Sequence, residues 1–161
     1  IEQVKCEGRA INDPGLIFQS LGLATGARAE IPSGGTLSLE IGVAAQDGLD
    51  RLSLGYSILG ESAGMAGVGW TPFFALPGAG RYRLVLDINQ LDLAPGDYAL
   101  RLSLNRGGLT EAKHTYDILF GTARFRVTPF RPDGAGLPLW RSGWGYVIHT
   151  HSSVTSSPVP G

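Results

Sequence analysis

The chain is 161 residues long, with 13 basic residues, 14 acidic ones and a single cysteine, a length that suits one domain with a real core and some irregular extension. The near-balanced charge excludes the broad basic field of a general nucleic-acid binder, and the lone Cys6 excludes a disulfide scaffold. No apolar run approaches the roughly 18 residues of a membrane-spanning helix, and the start at Ile1, in mid-strand and without a leader, reads as a soluble piece cut from a larger protein.

With 24 glycines and 10 prolines punctuating short alternating runs, the pattern predicts strands rather than helices. In chain order the expected strands cover about 2–9, 16–20, 27–31, 36–44, 52–59, 66–74, 81–88, 98–105 and 122–128. Cys6 alternates with Val4 in the first and reads as a small buried hydrophobe rather than a reactive thiol. Leu37, Leu39, Ile41 and Val43 bury one face of the fourth, and Leu52, Leu54, Tyr56 and Ile58 one face of the fifth. Further on, Tyr82, Leu84, Leu86 and Ile88 oppose Arg81, Arg83 and Asp87, while Tyr98, Leu100, Leu102 and Leu104 oppose Arg101, Ser103 and Asn105. Between these two strands Pro95 and Gly96 supply a turn, and Tyr98 stands where a sandwich places the corner tyrosine that bonds back to upstream backbone. The fold expected is an all-β, immunoglobulin-like antiparallel β-sandwich over residues 1–129.

Residues 130–161 form a Pro-, Gly- and Ser-rich extension whose one alternating run is 144–151. Such a tail is disordered, folded back on the sandwich, or exchanged with a second copy. Trp140, Trp144 and Tyr146 argue against disorder of its middle, and 155–161 is expected to be mobile.

Chemistry is sparse. The chain has no GxxxxGK phosphate loop, no GxGxxG opening a helix, no GxSxG elbow and no HExxH pair. Few acid/base groups remain to build a catalytic site, so no catalytic residue and no cofactor is assigned. His149 and His151 share one face of a strand and would offer two imidazoles to zinc, which wants three or four ligands. No third ligand stands at a recognisable spacing, so they read as exposed terminal histidines and no metal is expected.

The outward faces carry more. If the strands follow immunoglobulin order, 52–59, 98–105 and 122–128 share one sheet, and 36–44 pairs with 81–88 in the other. The first sheet then presents Ser53, Gly55, Ser57, Ala99, Arg101, Ser103, Arg124 and Arg126: a shallow depression floored by hydroxyls and rimmed by guanidinium forks. Such a surface suits sugars, because bidentate arginines and hydroxyls meet sugar hydroxyls or carboxylates and an aromatic ring adds an apolar platform. Arg101 and Arg124 are expected to contact the glycan, Ser57 and Ser103 to hydrogen-bond it, and Trp70 to stack. The competing reading is an ordinary solvated sheet with Trp70 in the core.

Several motifs recur in order: Ser33-Gly34-Gly35 before Leu-Ser-Leu-Glu-Ile, then Leu52 to Ile58, Gly80-Arg81-Tyr82-Arg83-Leu84, the LxLxPGxY corner, and Ala123-Arg124-Phe125-Arg126-Val127. Together they resemble the C-terminal domain of Wzt, the nucleotide-binding subunit of ABC transporters that export O-antigen polysaccharide, over about residues 1–129. The resemblance implies a non-catalytic carbohydrate-binding module that recognises the often capped non-reducing end of the O-antigen. It further implies a cytoplasmic setting, peripheral at the inner membrane, with an ATPase domain, a transmembrane transporter subunit and a homodimer as partners, and neither nucleic acid nor membrane insertion. The family offers no shared binding motif, so the site residues rest on strand geometry. A structural or adhesive surface β-sandwich that binds protein by strand addition is the other reading.

Overall fold

The computed structural model describes residues 6–23, 29–61, 64–108, 113–140, 145–147 and 152–158. In chain order the strands are β1 (Gly8–Ile11), β2 (Leu16–Leu23), β3 (Ala29–Pro32), β4 (Gly35–Ala45), β5 (Leu49–Gly60), β6 (Met65–Trp70), β7 (Phe74–Leu76), β8 (Gly80–Leu91), β9 (Gly96–Arg106) and β10 (His114–Thr128). The large sheet has the order β1-β10-β9-β5-β6, with β3 parallel to the end of β10 and β7 on the start of β5; the small sheet is β2-β4-β8. The expected partition therefore holds, β5, β9 and β10 on one side and β4 with β8 on the other, consistent with immunoglobulin-like order.

Alternation fills the space between the sheets. Leu37, Leu39, Ile41 and Val43 of β4 meet Leu52, Leu54 and Ile58 of β5 and Leu100, Leu102 and Leu104 of β9, all buried. Tyr56, expected in that row, is only half-buried, because its ring lies over Gly69 of the edge strand β6, where no side chain intervenes. The corner is present: the Tyr98 hydroxyl donates to the Ala94 carbonyl at 2.6 Å.

Three expectations shift. The first strand begins at Gly8, residues 1–5 lie outside the described ones, and Cys6 precedes the strand, half-buried against the core. The run 66–74 divides into β6 and β7: Thr71 still pairs through its N–H with Leu54, but Pro72 has no donor to continue the ladder. The last strand begins at His114 rather than residue 122. Three register shifts interrupt its pairing with β9, and Gly121 and Ala123 sit at positive φ, +60° and +48°. Each bulge resets which face the next side chain joins, and this hides a long strand from a period-2 reading.

At one end of β10, fully buried Asp117 takes both hydrogen bonds of the Arg9 fork, at 3.1 and 2.6 Å, and the Phe18 N–H at 2.9 Å. It thereby ties β1 and β2 to β10. From the extension, Tyr146 packs edge-on against Tyr98 at 6.3 Å, and its carbonyl accepts the Ala94 N–H. The segment 145–147 thus lies on its own sandwich, bridged through Val147 to Leu93. Trp144, His149 and His151 lie outside the described residues.

Candidate functional site

The outer face of the large sheet is assembled from facing pairs. Gly55 lies between Trp70 of β6 and Ser103 of β9, and Ser57 between Val68 and Arg101. Because residues directly opposite share a face, Trp70, Val68, Ser57, Arg101 and Ser103 all project outward. Gly55 is what lets the indole lie down: a Cβ there would come within 2.7 Å of the Ser103 hydroxyl and 3.2 Å of the Trp70 Nε1. Trp70 is accordingly half-buried on the outside, neither in the core nor standing free.

Four of the sequence-chosen residues, Ser57, Trp70, Arg101 and Ser103, thus form one cluster. Its floor differs from the solvated hydroxyl bed expected. Ser53 is 1% exposed and donates to the Gly107 carbonyl, and Ser57 is 8% exposed. Buried Asn105 donates through its amide to the Ser103 Oγ at 2.9 Å and accepts from Thr115 at 2.9 Å. Ser103 therefore acts as acceptor inside the protein and keeps its own proton for an outside partner.

Arg101 is the unusual member. Its guanidinium lies over the Phe120 ring, 5.2 Å from the centroid, and its Nε is buried with no acceptor. Leaving a buried donor unmatched costs about 1–3 kcal/mol. No carboxylate among the described residues pairs with it, whereas Arg9, Arg83, Arg106, Arg124 and Arg126 are all in ion pairs.

Arg124, the fifth chosen residue, lies in the other half of the face, where it pairs with Glu7. Arg126 there holds Asp97 through two bonds of 2.7 and 3.1 Å, and that guanidinium contact keeps the Asp97 carboxyl below the usual carboxylate range. These pairs rim a cleft of about 640 Å³ whose lining also includes Glu30, Glu61 and Tyr98. Burial, with smaller contributions from Tyr146 and Glu61, pushes the Tyr98 hydroxyl up to about 12. Gly60, also in that lining, is the floor on which Tyr146 rests, since a Cβ there would collide with its ring.

Sequence reasoning set Asn105 on the outward side without giving it a role, and it missed Phe120 and Glu7 as parts of this face. Phe120 precedes the bulge at Gly121, so it fell outside the expected strand; the apolar run Ile118 to Phe120 was the available signal. Among the described residues no group of acidic, His or Cys side chains is placed to hold a metal ion.

No protein-family model matches the sequence, and no curated protein matches it. Among solved structures, the crystal structure of the C-terminal domain of Wzt is similar to this chain, with a TM-score of 0.68 and 14% identity, over 96% of this chain and 91% of that one. At that identity the likeness establishes a shared fold along nearly the whole length of both. The alkylpurine DNA glycosylase AlkC of Pseudomonas fluorescens, bound to DNA containing an abasic site analog, aligns at a TM-score of 0.45 and 14% identity over 70% of this chain and 30% of its own. A Listeria innocua beta-glucosidase in complex with laminaribiose aligns at 0.39 and 11% identity over 72% and 16%. Neither bears on what this chain does.

Proposed function

We propose that the outer face of the large sheet binds carbohydrate, and that the chain is a non-catalytic module recognising the non-reducing end, capped or uncapped, of O-antigen polysaccharide for export by an ABC transporter. One observation carries the reading: Arg101 sits on Phe120 without a carboxylate partner among the described residues, its Nε unmatched, beside Ser57, Ser103 and Trp70. A sugar supplies what that arrangement lacks. Its hydroxyls, or a carboxylate, accept from the guanidinium, its ring oxygens and hydroxyls meet the Ser103 proton, and its apolar C–H face rests on the indole.

Two further things support the reading. The fold likeness to the Wzt C-terminal domain runs nearly end to end, and the order of the sequence's turn and strand motifs resembles that family's. In this setting the full-length protein adds an ATPase domain and works as a dimer with a transmembrane transporter subunit, on the cytoplasmic side of the inner membrane. No helix among the described residues is long and apolar enough to cross a membrane itself.

The test is to titrate purified O-polysaccharide of the source strain into ¹⁵N-labelled protein. The Trp70 indole N–H and the Arg101 side-chain resonance should move together with the backbone amides of 55–57 and 101–103. If neither capped nor uncapped glycan shifts any resonance, the carbohydrate reading is wrong.

A further inference from the structure

Two Asp-Gly pairs occur in the sequence, Asp47-Gly48 and Asp133-Gly134. This dipeptide carries a latent reaction. Glycine has no side chain to shield its amide nitrogen, so that nitrogen can reach the carboxyl carbon of the aspartate before it and close a five-membered ring. Both pairs are exposed, and the fold holds them differently.

At the first pair the reacting groups already touch: the Gly48 N–H donates to the Asp47 Oδ1 at 2.7 Å. At the second pair each group is committed elsewhere. The Asp133 Oδ1 accepts from the N–H of Ala135 at 2.9 Å, one residue beyond the glycine, and the Gly134 N–H donates to the Arg131 carbonyl at 2.9 Å. Holding reacting groups in contact removes part of the entropic barrier between them.

We propose that Asp47-Gly48 is a site of spontaneous isoaspartate formation, with water as its only co-reactant. The Gly48 nitrogen bonds to the Asp47 carboxyl carbon, and the amide proton leaves with the carboxyl hydroxyl as one water, giving a cyclic imide. A second water reopens the ring. Cleavage at the side-chain carbonyl restores aspartate. Cleavage at the main-chain carbonyl leaves the chain running through the aspartate side chain, with its α-carboxylate free and the original mass regained.

The position of this turn gives the modification a structural consequence. Asp47 and Gly48 join β4 of the small sheet to β5 of the large one. Both flanks are held: the Gln46 N–H donates to the Gly15 carbonyl at 2.9 Å, and Leu49 pairs with Leu76 of β7. Gly48 itself lies so close to β7 that a Cβ there would stand 3.1 Å from the Pro77 carbonyl. Isoaspartate adds one carbon to the main chain of this fixed turn, and the extra length falls on the Leu49–Leu76 pairing. Ser57 lies on the same strand roughly 26 Å further on, so the inference stands or falls independently of the glycan reading.

The test is to age the folded native chain in mildly acidic buffer, digest it, and distinguish aspartyl from isoaspartyl peptides of equal mass by electron-transfer fragmentation. Labelling of the free α-carboxylate by an isoaspartyl methyltransferase gives a second count. Asp47 should accumulate about tenfold more isoaspartate than Asp133. In urea, where both are the same dipeptide in an unfolded chain, the two rates should converge. Asp47→Glu would have to close a six-membered ring and should abolish the signal at that position while leaving the one at Asp133 unchanged. An aged folded chain without isoaspartate at Asp47 overturns the proposal, as does equal accumulation at Asp47 and Asp133. A preference for Asp47 that persists undiminished in urea also overturns it, because the fold would then have no part in the selection.

Discussion

Arg101 and Arg124 project from the same face of the same sheet and carry the same charge, but they are spent differently. Arg124 pairs with Glu7 and its neighbour Arg126 with Asp97, in a half of the face where four carboxylates surround two guanidinium groups. Arg101 rests on an aromatic ring among hydroxyls, with no carboxylate partner among the described residues. A guanidinium already matched in the protein must give up that match to bind something else, so its net gain is small. An unmatched one has its hydrogen bonds still to make. Residue type and outward direction are therefore poor guides to a binding arginine; the local charge balance discriminates.

Replacing each arginine in turn tests that distinction most strongly. Hydrogen bonds to a charged group contribute about 1.5–3 kcal/mol net. Arg101→Ala should therefore weaken O-polysaccharide affinity roughly 10- to 100-fold by isothermal titration, while Arg124→Ala should stay within about threefold. If the two variants lose affinity equally, the division of the face into a spent and an available half is wrong. Added salt extends the experiment. If the terminal sugar is acidic, native affinity should fall with ionic strength through screening and the dependence should largely vanish in Arg101→Ala; a neutral terminus should show little dependence in either.

Which arginine is available was not written in the sequence. Strand alternation placed Ser57, Arg101 and Ser103 on the outward side of the correct sheet, because period 2 is enforced wherever a strand has one buried face. Trp70 was chosen as the nearest aromatic; its resting place depends on Gly55 across the ladder, a pairing between strands that a single stretch of sequence does not display. Glu7 reaches Arg124 from 117 residues away. Phe120 was lost for a local reason, the bulge at Gly121 that breaks alternation. Asp117, the buried anchor between the sheets, lay in the same unread run. What was legible is what nearest neighbours along one strand impose, and what was not depends on register between strands.

The matched half can be opened without touching Arg101. Tyr146 packs on Tyr98 over Gly60, at one end of the charged cleft. Tyr146→Ala removes a half-buried ring and should lower unfolding free energy by about 1–3 kcal/mol, less than the loss of a fully buried aromatic. Tyr98→Phe deletes only the 2.6 Å bond to the Ala94 carbonyl and should cost about 1 kcal/mol in urea denaturation. Both variants should bind glycan within about twofold of the native chain if recognition energy resides around Arg101. A large affinity loss in Tyr146→Ala with the fold intact would move the site into the cleft.

The smallest effect concerns pH. Arg126 depresses the Asp97 carboxyl in the folded chain, so the unfolded state binds its proton more tightly. Stability from this group is therefore fully present above the unfolded value, about 3.9, and is lost as pH falls through the lower folded one. Both side chains are about half exposed, which holds the pair below about 1 kcal/mol. Asp97→Asn should accordingly be slightly less stable than the native chain at pH 7, and the gap should close in acid once the native carboxyl is protonated. The same substitution releases Arg126 from its partner and brings it nearer the condition of Arg101. If charge balance decides which arginine can bind, Asp97→Asn should gain measurable affinity for an acidic glycan while Arg126→Ala in the native background changes nothing. An Asp97→Asn chain whose affinity stays flat would mean that the hydroxyl and aromatic surroundings of Arg101, and not its missing carboxylate, set it apart.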